Sequence, residues 1–535
     1  MRALIIVAVI LVLSGFLAGQ NVPWLPLWPS LAALILVVWL RQPVLALATG
    51  AACGSLLLNG GRPDEALWAL SGKYTVGIIA SPWNTGILLF TILFGGFAGI
   101  VQWGGGLRVL ADRMMRGTSG SARRLEGCAM LMGIVCFFDG LINALLVGRL
   151  FAPLTRQHGF SRVRLAYIVD STSSPIACLA VASTWIAYQL SMIQEGLGEM
   201  ATRGDTNLSP YGLFLASWPY NFYGLFTLVL LAVSIRWQWS IGPMRGWNDH
   251  PVQDDHQQLA MQSAPEIPEC PQPRASAAVL SLGVLLTGML GLLWWDGMRR
   301  KPPTAGWLEA ISYADASATL VMVAILAGLV AYALHRRPEV PSNASNLNRS
   351  FMDGAARMLA PLGILIAAWA LSATMKDLGT SRLLAEALGG TLPPLWFPSL
   401  VFLAGAGISF MTGTSWGTMG ILTPLALPVA LSYDPTGGSI VLPATLGAIF
   451  SGAVFGDHCS PLSDTTIMSA TACGVDPWDH VRTQLPHALI AGGVALLGGF
   501  LPSSLGANPW LCIAGCSLLI LALPKLFPMP LSAPH

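Results

Sequence analysis

Residues 454–469 read "VFGDHCSPLSDTTIMS" and place two carboxyls, an imidazole, a thiol and five hydroxyls inside an otherwise apolar stretch. Three chemistries could use them. A metal centre built on Asp457, His458 and Cys459 is disfavoured, because consecutive residues do not converge on one ion and no CxxC or HExxH spacing accompanies them. An intramembrane hydrolase using Ser or Cys with His458 lacks a recognisable base–nucleophile spacing. The third reading is cation exchange. Carboxyl, hydroxyl and carbonyl groups are hard oxygen ligands suited to a small hard cation. Pro461 removes a backbone hydrogen bond and is expected to free carbonyls around position 457. A carboxyl away from bulk water can hold a proton or a cation in competition, the minimal device for coupled exchange. An unpaired carboxylate at mid-helix costs ~3 kcal/mol on insertion scales, so it is retained for a reason. The structural alternative is that Asp457 and Asp464 are helix-end caps, with His458 a hydrogen-bond partner rather than a proton relay.

Other segments offer the same chemistry. Asp139 is the only charge in 127–148, with Asn143 one helical turn later. Asp170 opens "DSTSSP" at 170–175, which also holds Ser173 and Ser174. The uncharged "TGTSWGT" at 412–418 combines turn-forming glycines with the oxygens of Thr414 and Ser415. Asp457 and Asp139 are the candidate cation and proton carboxylates. Asp170, Asn143, Ser173, Ser174, Thr414, Ser415, Ser460, Asp464 and Thr465 are candidate oxygen ligands or hinge residues.

The elements that carry these residues must lie in a bilayer. The 535-residue chain is 54% hydrophobic and 10% charged, with a mean hydropathy of +0.63, against roughly 25% charge in soluble domains. The fold class is an all-α polytopic membrane protein of about twelve spans plus two re-entrant hairpins, in two inverted-topology repeats. Spans are expected near 3–19, 24–40, 43–59, 83–103, 165–193, 211–235, 275–295, 314–334, 358–374, 440–472, 487–504 and 508–524. The first reads as an uncleaved helix rather than a signal peptide. Eight of the nine cysteines lie in or beside apolar stretches, which fits small packable residues better than a disulfide framework. No nucleic-acid, dinucleotide or P-loop pattern is present.

Two apolar stretches do not suit ordinary spans. The stretch 125–148 lies between a segment with Arg108, Arg113, Arg116, Arg123 and Arg124 and one with Arg149, Arg156, Arg162 and Arg164. Crossing the membrane would put those basic segments on opposite sides, against the positive-inside tendency, so a cytoplasmic-side hairpin turning near Asp139–Gly140 is expected. The stretch 394–432 is long, broken by Gly, Thr and Pro, and flanked by little positive charge, which suits a hairpin from outside. "RRK" at 299–301 dissents, falling outside in this count. The organisation is then 1–82 N-terminal scaffold spans; 83–235 a first repeat core with hairpin 125–148 and broken helix 165–193; 236–274 a Pro-rich cytoplasmic linker; 275–357 scaffold spans and a hydrophilic break over 335–357; 358–486 a second core with hairpin 394–432 and broken helix 440–472; and 487–535 C-terminal spans. The breaks expected within the two broken helices, "DSTSSP" (170–175) and "DHCSP" (457–461), echo each other, as inverted repeats with a midplane site would.

At these motifs the sequence resembles the NhaC family of sodium–proton antiporters. The resemblance rests on "CFFDGLINALLVG" (136–148), "SRVRLAYIVDSTSSPIACLAVASTWIAY" (161–188), "GTSWGTMGILTPLALPVA" (413–430) and "GDHCSPLSDTTIMSATACGVDPWDHVRTQLPHAL" (456–489). It implies sodium export in exchange for protons, an inner-membrane location and an elevator-type homodimer. Members often carry paired aspartates where this chain has Asp139-Gly140, so one carboxylate fewer faces the cation here. Some relatives exchange organic solutes, so the alternative is a sodium- or proton-coupled exchanger of small organic acids or amino acids. No Lys or Arg lies inside the hairpins or broken helices, which weighs against a bare carboxylate substrate. The expected partners are the bilayer, a small cation or small-molecule substrate and a second copy of the chain. No cofactor or nucleic acid is expected, no enzymatic activity, and both termini face the cytoplasm.

Overall fold

The computed structural model describes the chain apart from residues 1, 21, 117–120, 156–159, 199–208, 248–269, 271, 302–305, 308, 337–341, 390–392, 434–437 and 528–535. Among the described residues the regular structure is helical throughout, with no strand. Most of the linker expected at 236–274 lies outside the described residues.

Among the described residues seven helices are long and apolar enough to cross a membrane, or up to nine if each of two bent pairs counts as one span. Shorter apolar helices fill the N-terminal region at Ala3–Leu17, Leu25–Leu40 and Pro43–Leu58. Large apolar side chains such as Leu4, Val12, Trp39, Leu329, Leu497 and Leu518 are exposed on the outside. Water would not tolerate so broad an apolar exterior, and hydrocarbon does, because the helices satisfy their own backbone. The chain is therefore a multi-pass membrane protein.

Besides the bent pair Pro210–Tyr220 and Phe222–Trp237, four interrupted helix pairs among the described residues surround the site. The first is Ala122–Val135 with Gly140–Thr155, and the third is Phe397–Thr412 with Ser415–Tyr433. Both double back. Asn143 Nδ2 donates to Gly133 O at 2.9 Å across the first turn, and a Cβ on Gly405 would lie 3.2 Å from the Leu422 side chain across the other. The second turn depends on Gly413, whose φ of +65° favours glycine and whose added Cβ would meet Leu462 at 2.7 Å.

The second pair, Arg162–Leu179 and Thr184–Leu197, bends by 47°. Its break falls at 180–183, beyond the "DSTSSP" motif, so Asp170 sits within a continuous helix. Pro175 lies inside this helix, and hydroxyls on the turn before it bond back to the helix carbonyls. Thr172 Oγ1 donates to Ile168 O and Ser173 Oγ to Asp170 O, at 2.9 and 3.0 Å. The fourth pair, Val441–Cys459 and Asp464–Cys473, breaks at 460–463, where Pro461 was expected to end the helix.

The segment 335–357 is helical over Asn343–Arg357 rather than an open break. Its polar average hides a face of small residues. Gly354 packs against Gly95 and Gly99 of Pro82–Trp103, and a Cβ on Gly99 would meet Ser350 O at 2.2 Å. Such glycines let two helix backbones touch. A buried ion pair ties the first hairpin to the second pair: Arg164 Nε and Nη2 donate to the two Glu126 oxygens at 2.6 and 3.1 Å.

Candidate functional site

The starts of four helices meet at one cavity of about 480 Å³. Its walls include Asp139 and Gly140, Thr184 and Trp185, Thr414–Trp416, and Asp464 and Thr465, with Asp457 at the end of Val441–Cys459. Each start is capped. Asp139 Oδ1 accepts from Ile142 N at 2.8 Å, Ser183 Oγ from Trp185 N at 3.2 Å, Thr414 Oγ1 from Gly417 N at 3.2 Å, and Ser463 Oγ from Thr466 N at 3.3 Å. Within each half the doubled-back pair bonds the interrupted pair that follows it: Thr184 N donates to Phe138 O at 3.0 Å, and Ser409 and Ser415 both donate to Ala453 O, at 2.6 and 3.2 Å.

Asp457 is buried among hydroxyls. Its Oδ2 accepts from Ser174 at 3.1 Å and from Thr465 at 2.8 Å, and the Ser174 and Thr465 hydroxyl oxygens lie 3.1 Å apart. Among the described residues its Oδ1 has no hydrogen-bond partner. One carboxylate oxygen is thus fixed and the other is available to a cation or a proton. The carbonyls expected to be freed around position 457 are not all free, because Asp457 O accepts from Ser460 N and from Thr466 Oγ1 at 3.2 and 3.1 Å. The hydroxyls that follow the break use up what Pro461 releases.

The sequence candidates separate into two sets. Asp139, Thr414, Ser415, Asp457, Asp464 and Thr465 line the cavity, and Ser174 reaches it through Asp457. Asp464 both faces the cavity and accepts from its neighbour's amide, Thr465 N, at 2.8 Å.

The remaining candidates hold the scaffold. Asn143 Nδ2 bridges Gly133 O and Thr172 O, at 2.9 and 2.7 Å. Ser173 bonds Asp170 O, and Ser460 Oγ accepts from Leu462 N at 3.3 Å. Asp170 is fully buried behind the cavity, where it accepts from Ser469, Thr466, Gln484 and His480 at 3.2, 3.2, 2.6 and 3.3 Å. His458 points away from the cavity, its Nδ1 2.8 Å from Tyr223 Oη, into a small polar space shared with Tyr167, Gln484 and His487.

Several lining residues escaped the sequence reading. Gln102 comes from Pro82–Trp103, and Asp353 and Arg357 come from Asn343–Arg357. Arg357 lies in neither a hairpin nor a broken helix, the elements in which a charge stands out from its sequence context. The Gly95–Gly99–Gly354 contact that brings it in carries only a small-residue signal. Among the described residues no group of three or more His, Cys, Asp or Glu side chains is arranged to hold a metal.

Interrupted helices whose ends surround a carboxylate-bearing cavity define a secondary transporter. The chain belongs to the Na+/H+ antiporter family, whose sequence profile matches residues 176–500. An uncharacterized protein of Haemophilus influenzae is 30% identical over 481 residues, spanning 88% of this chain and 89% of that one. The Na+/H+ antiporter NhaC of Alkalihalophilus pseudofirmus is 35% identical over 130 residues, 24% of this chain and 25% of that protein. The resemblance read from the motifs is borne out. In fold, the chain is similar to the Alcanivorax borkumensis YdaH transporter, with a TM-score of 0.58 at 17% identity over 92% of this chain and 98% of that one.

Proposed function

We propose that the protein exchanges Na+ for H+ through competition at Asp457, with Asp139 as the second carboxylate of the same cavity. The observation that carries this reading is the divided carboxylate of Asp457, with Oδ2 held by Ser174 and Thr465 and Oδ1 without a hydrogen-bond partner among the described residues. Thr465, Thr414 and Ser415, which line the same cavity, offer further oxygens to a cation there. A proton there neutralises the group instead, and the two occupants exclude each other. Family membership and the NhaC relative support Na+ as the cation.

The proposal extends to architecture. The two doubled-back pairs act as re-entrant hairpins, 122–155 from the cytoplasm and 397–433 from outside, within two inverted repeats among about twelve spans. The domain boundaries given above divide core from scaffold, both termini are cytoplasmic, and the protein works as a homodimer in the inner membrane. Support comes from the paired hairpin-and-break pattern in each half and from the charge distribution of the flanking segments.

The test is proton flux in proteoliposomes with an internal pH dye, under an imposed proton gradient. Addition of sodium, but not choline, is expected to dissipate the gradient, and Asp457→Asn is expected to abolish the response in folded protein. Wild type that moves no protons with sodium, lithium or potassium would refute the reading.

A further inference from the structure

Arg357 and Gln102 give the cavity a second chemistry. Arg357 Nη1 donates to Gln102 Oε1 at 2.6 Å. With that oxygen occupied, the Gln102 amide offers its Nε2 donors, which bond nothing among the described residues, although the side chain is more than nine-tenths buried. Both residues line the cavity. Asp139 lines the same cavity, yet among the described residues Arg357 has no carboxylate within the 4.0 Å of an ion pair. Asp353, one turn earlier, is paired with Arg349 at 3.7 Å. The guanidinium therefore faces the cavity with most of its donors uncommitted.

The volume points the same way. About 480 Å³ lies within the roughly 300–1,000 Å³ typical of small-molecule sites and far exceeds the needs of a bare cation. Much of the wall is apolar, with Leu141, Leu145, Trp185, Met358, Ile364 and Met468. Apolar walls add nothing to a hydrated ion and suit a short carbon skeleton.

We propose that Arg357 and Gln102 form a carboxylate subsite, so that the cavity takes a small organic acid, its carboxylate on the guanidinium and its carbon body against the apolar wall. Arginine and a side-chain amide match a carboxylate's paired acceptors, where a lone lysine would offer only a point charge. Asp139, Asp457 and Asp464 share the cavity and repel the anion until cations or protons neutralise them. Sodium and the organic acid then favour each other's binding, reciprocally. This deepens the antiport reading by adding a solute to the same site, and it rests on that reading only for the identity of the cation.

The experiment is ligand binding to the purified full chain by calorimetry, with acetate, lactate, succinate and glutamate as probes and chloride and sulfate as inorganic controls. Each is measured in sodium and in choline, for wild type, Arg357→Gln and Arg357→Lys. At least one carboxylate is expected to bind wild type, severalfold tighter in sodium. Arg357→Gln is expected to weaken it by roughly tenfold to a hundredfold, as for a lost charge-assisted hydrogen bond, with Arg357→Lys between. Hydroxy acids binding best, or glutamate binding best, identifies which organic acid the subsite serves.

No carboxylate binding to folded wild type overturns the inference whatever the variants do. Equal binding by folded Arg357→Gln and wild type also overturns it. Sodium-driven proton flux in vesicles is read separately: its absence alongside carboxylate binding refutes simple cation–proton antiport and leaves the subsite standing.

Discussion

Ser174 and Thr465, 291 positions apart in the chain, both donate to the same oxygen of Asp457 and touch each other at 3.1 Å. The contact joins the two halves of the chain at the carboxylate that the exchange reading needs. Because both hydroxyls stabilise the ionised form, removing either favours the proton over the cation. Ser174→Ala and Thr465→Ala are each expected to raise the half-saturating sodium concentration roughly tenfold at fixed pH. Initial flux rates in proteoliposomes over a sodium titration check this. An unchanged half-saturation in both variants would separate the hydroxyls from cation binding.

Asp170 plays another part. It accepts four hydrogen bonds from two neighbouring helices and does not line the cavity. Asp170→Asn presents donors to donors and is expected to cost about 1–3 kcal/mol of stability for each donor stranded. Thermal unfolding of the purified variant reads the loss. A variant with undiminished stability and altered sodium dependence would make Asp170 a ligand rather than an anchor.

The Glu126–Arg164 pair is buried on both sides and also engages Ser240, Ser234 and Gln238. Deleting one partner leaves a charge stranded in the interior. Arg164→Met is expected to destabilise the protein by about 3–5 kcal/mol. Yield of monodisperse protein and its melting temperature measure the effect, and wild-type behaviour would show that the pair is dispensable.

At Gly413 the positive φ and the closeness of Leu462 act together. Gly413→Ala is expected to cost about 1–3 kcal/mol from backbone strain alone. Since Thr414 and Ser415 follow directly, the sodium response is expected to fall with it. Thermal shift and flux measured on one preparation distinguish strain that stays local from strain that reaches the site.

Much of this was legible in the sequence. The carboxylates in apolar runs marked Asp139 and Asp457, because a charge inside hydrocarbon is costly enough to be informative. Pro461 and the glycine at 413 announced two of the breaks. "DSTSSP" looked like a third, yet the helix runs through Pro175 and breaks only at 180–183. Asp170 and Asn143 were plausible ligands by residue type, and only tertiary contacts show them bonded to the scaffold. Arg357 was hidden for the opposite reason. Its helix is polar on average, and the glycine contacts that press it against Pro82–Trp103 join residues about 250 positions apart. No local pattern encodes such a contact.

The central claim is that one carboxylate holds either a proton or a sodium ion. Its most direct test is proton release from purified protein in weakly buffered solution on addition of sodium chloride. Wild type is expected to release protons on sodium addition and not on choline addition. The apparent sodium affinity is expected to weaken up to about tenfold per pH unit on acidification, as one-for-one competition requires. Folded Asp457→Asn is expected to release none. Sodium binding without proton release, at an affinity independent of pH, would contradict the account.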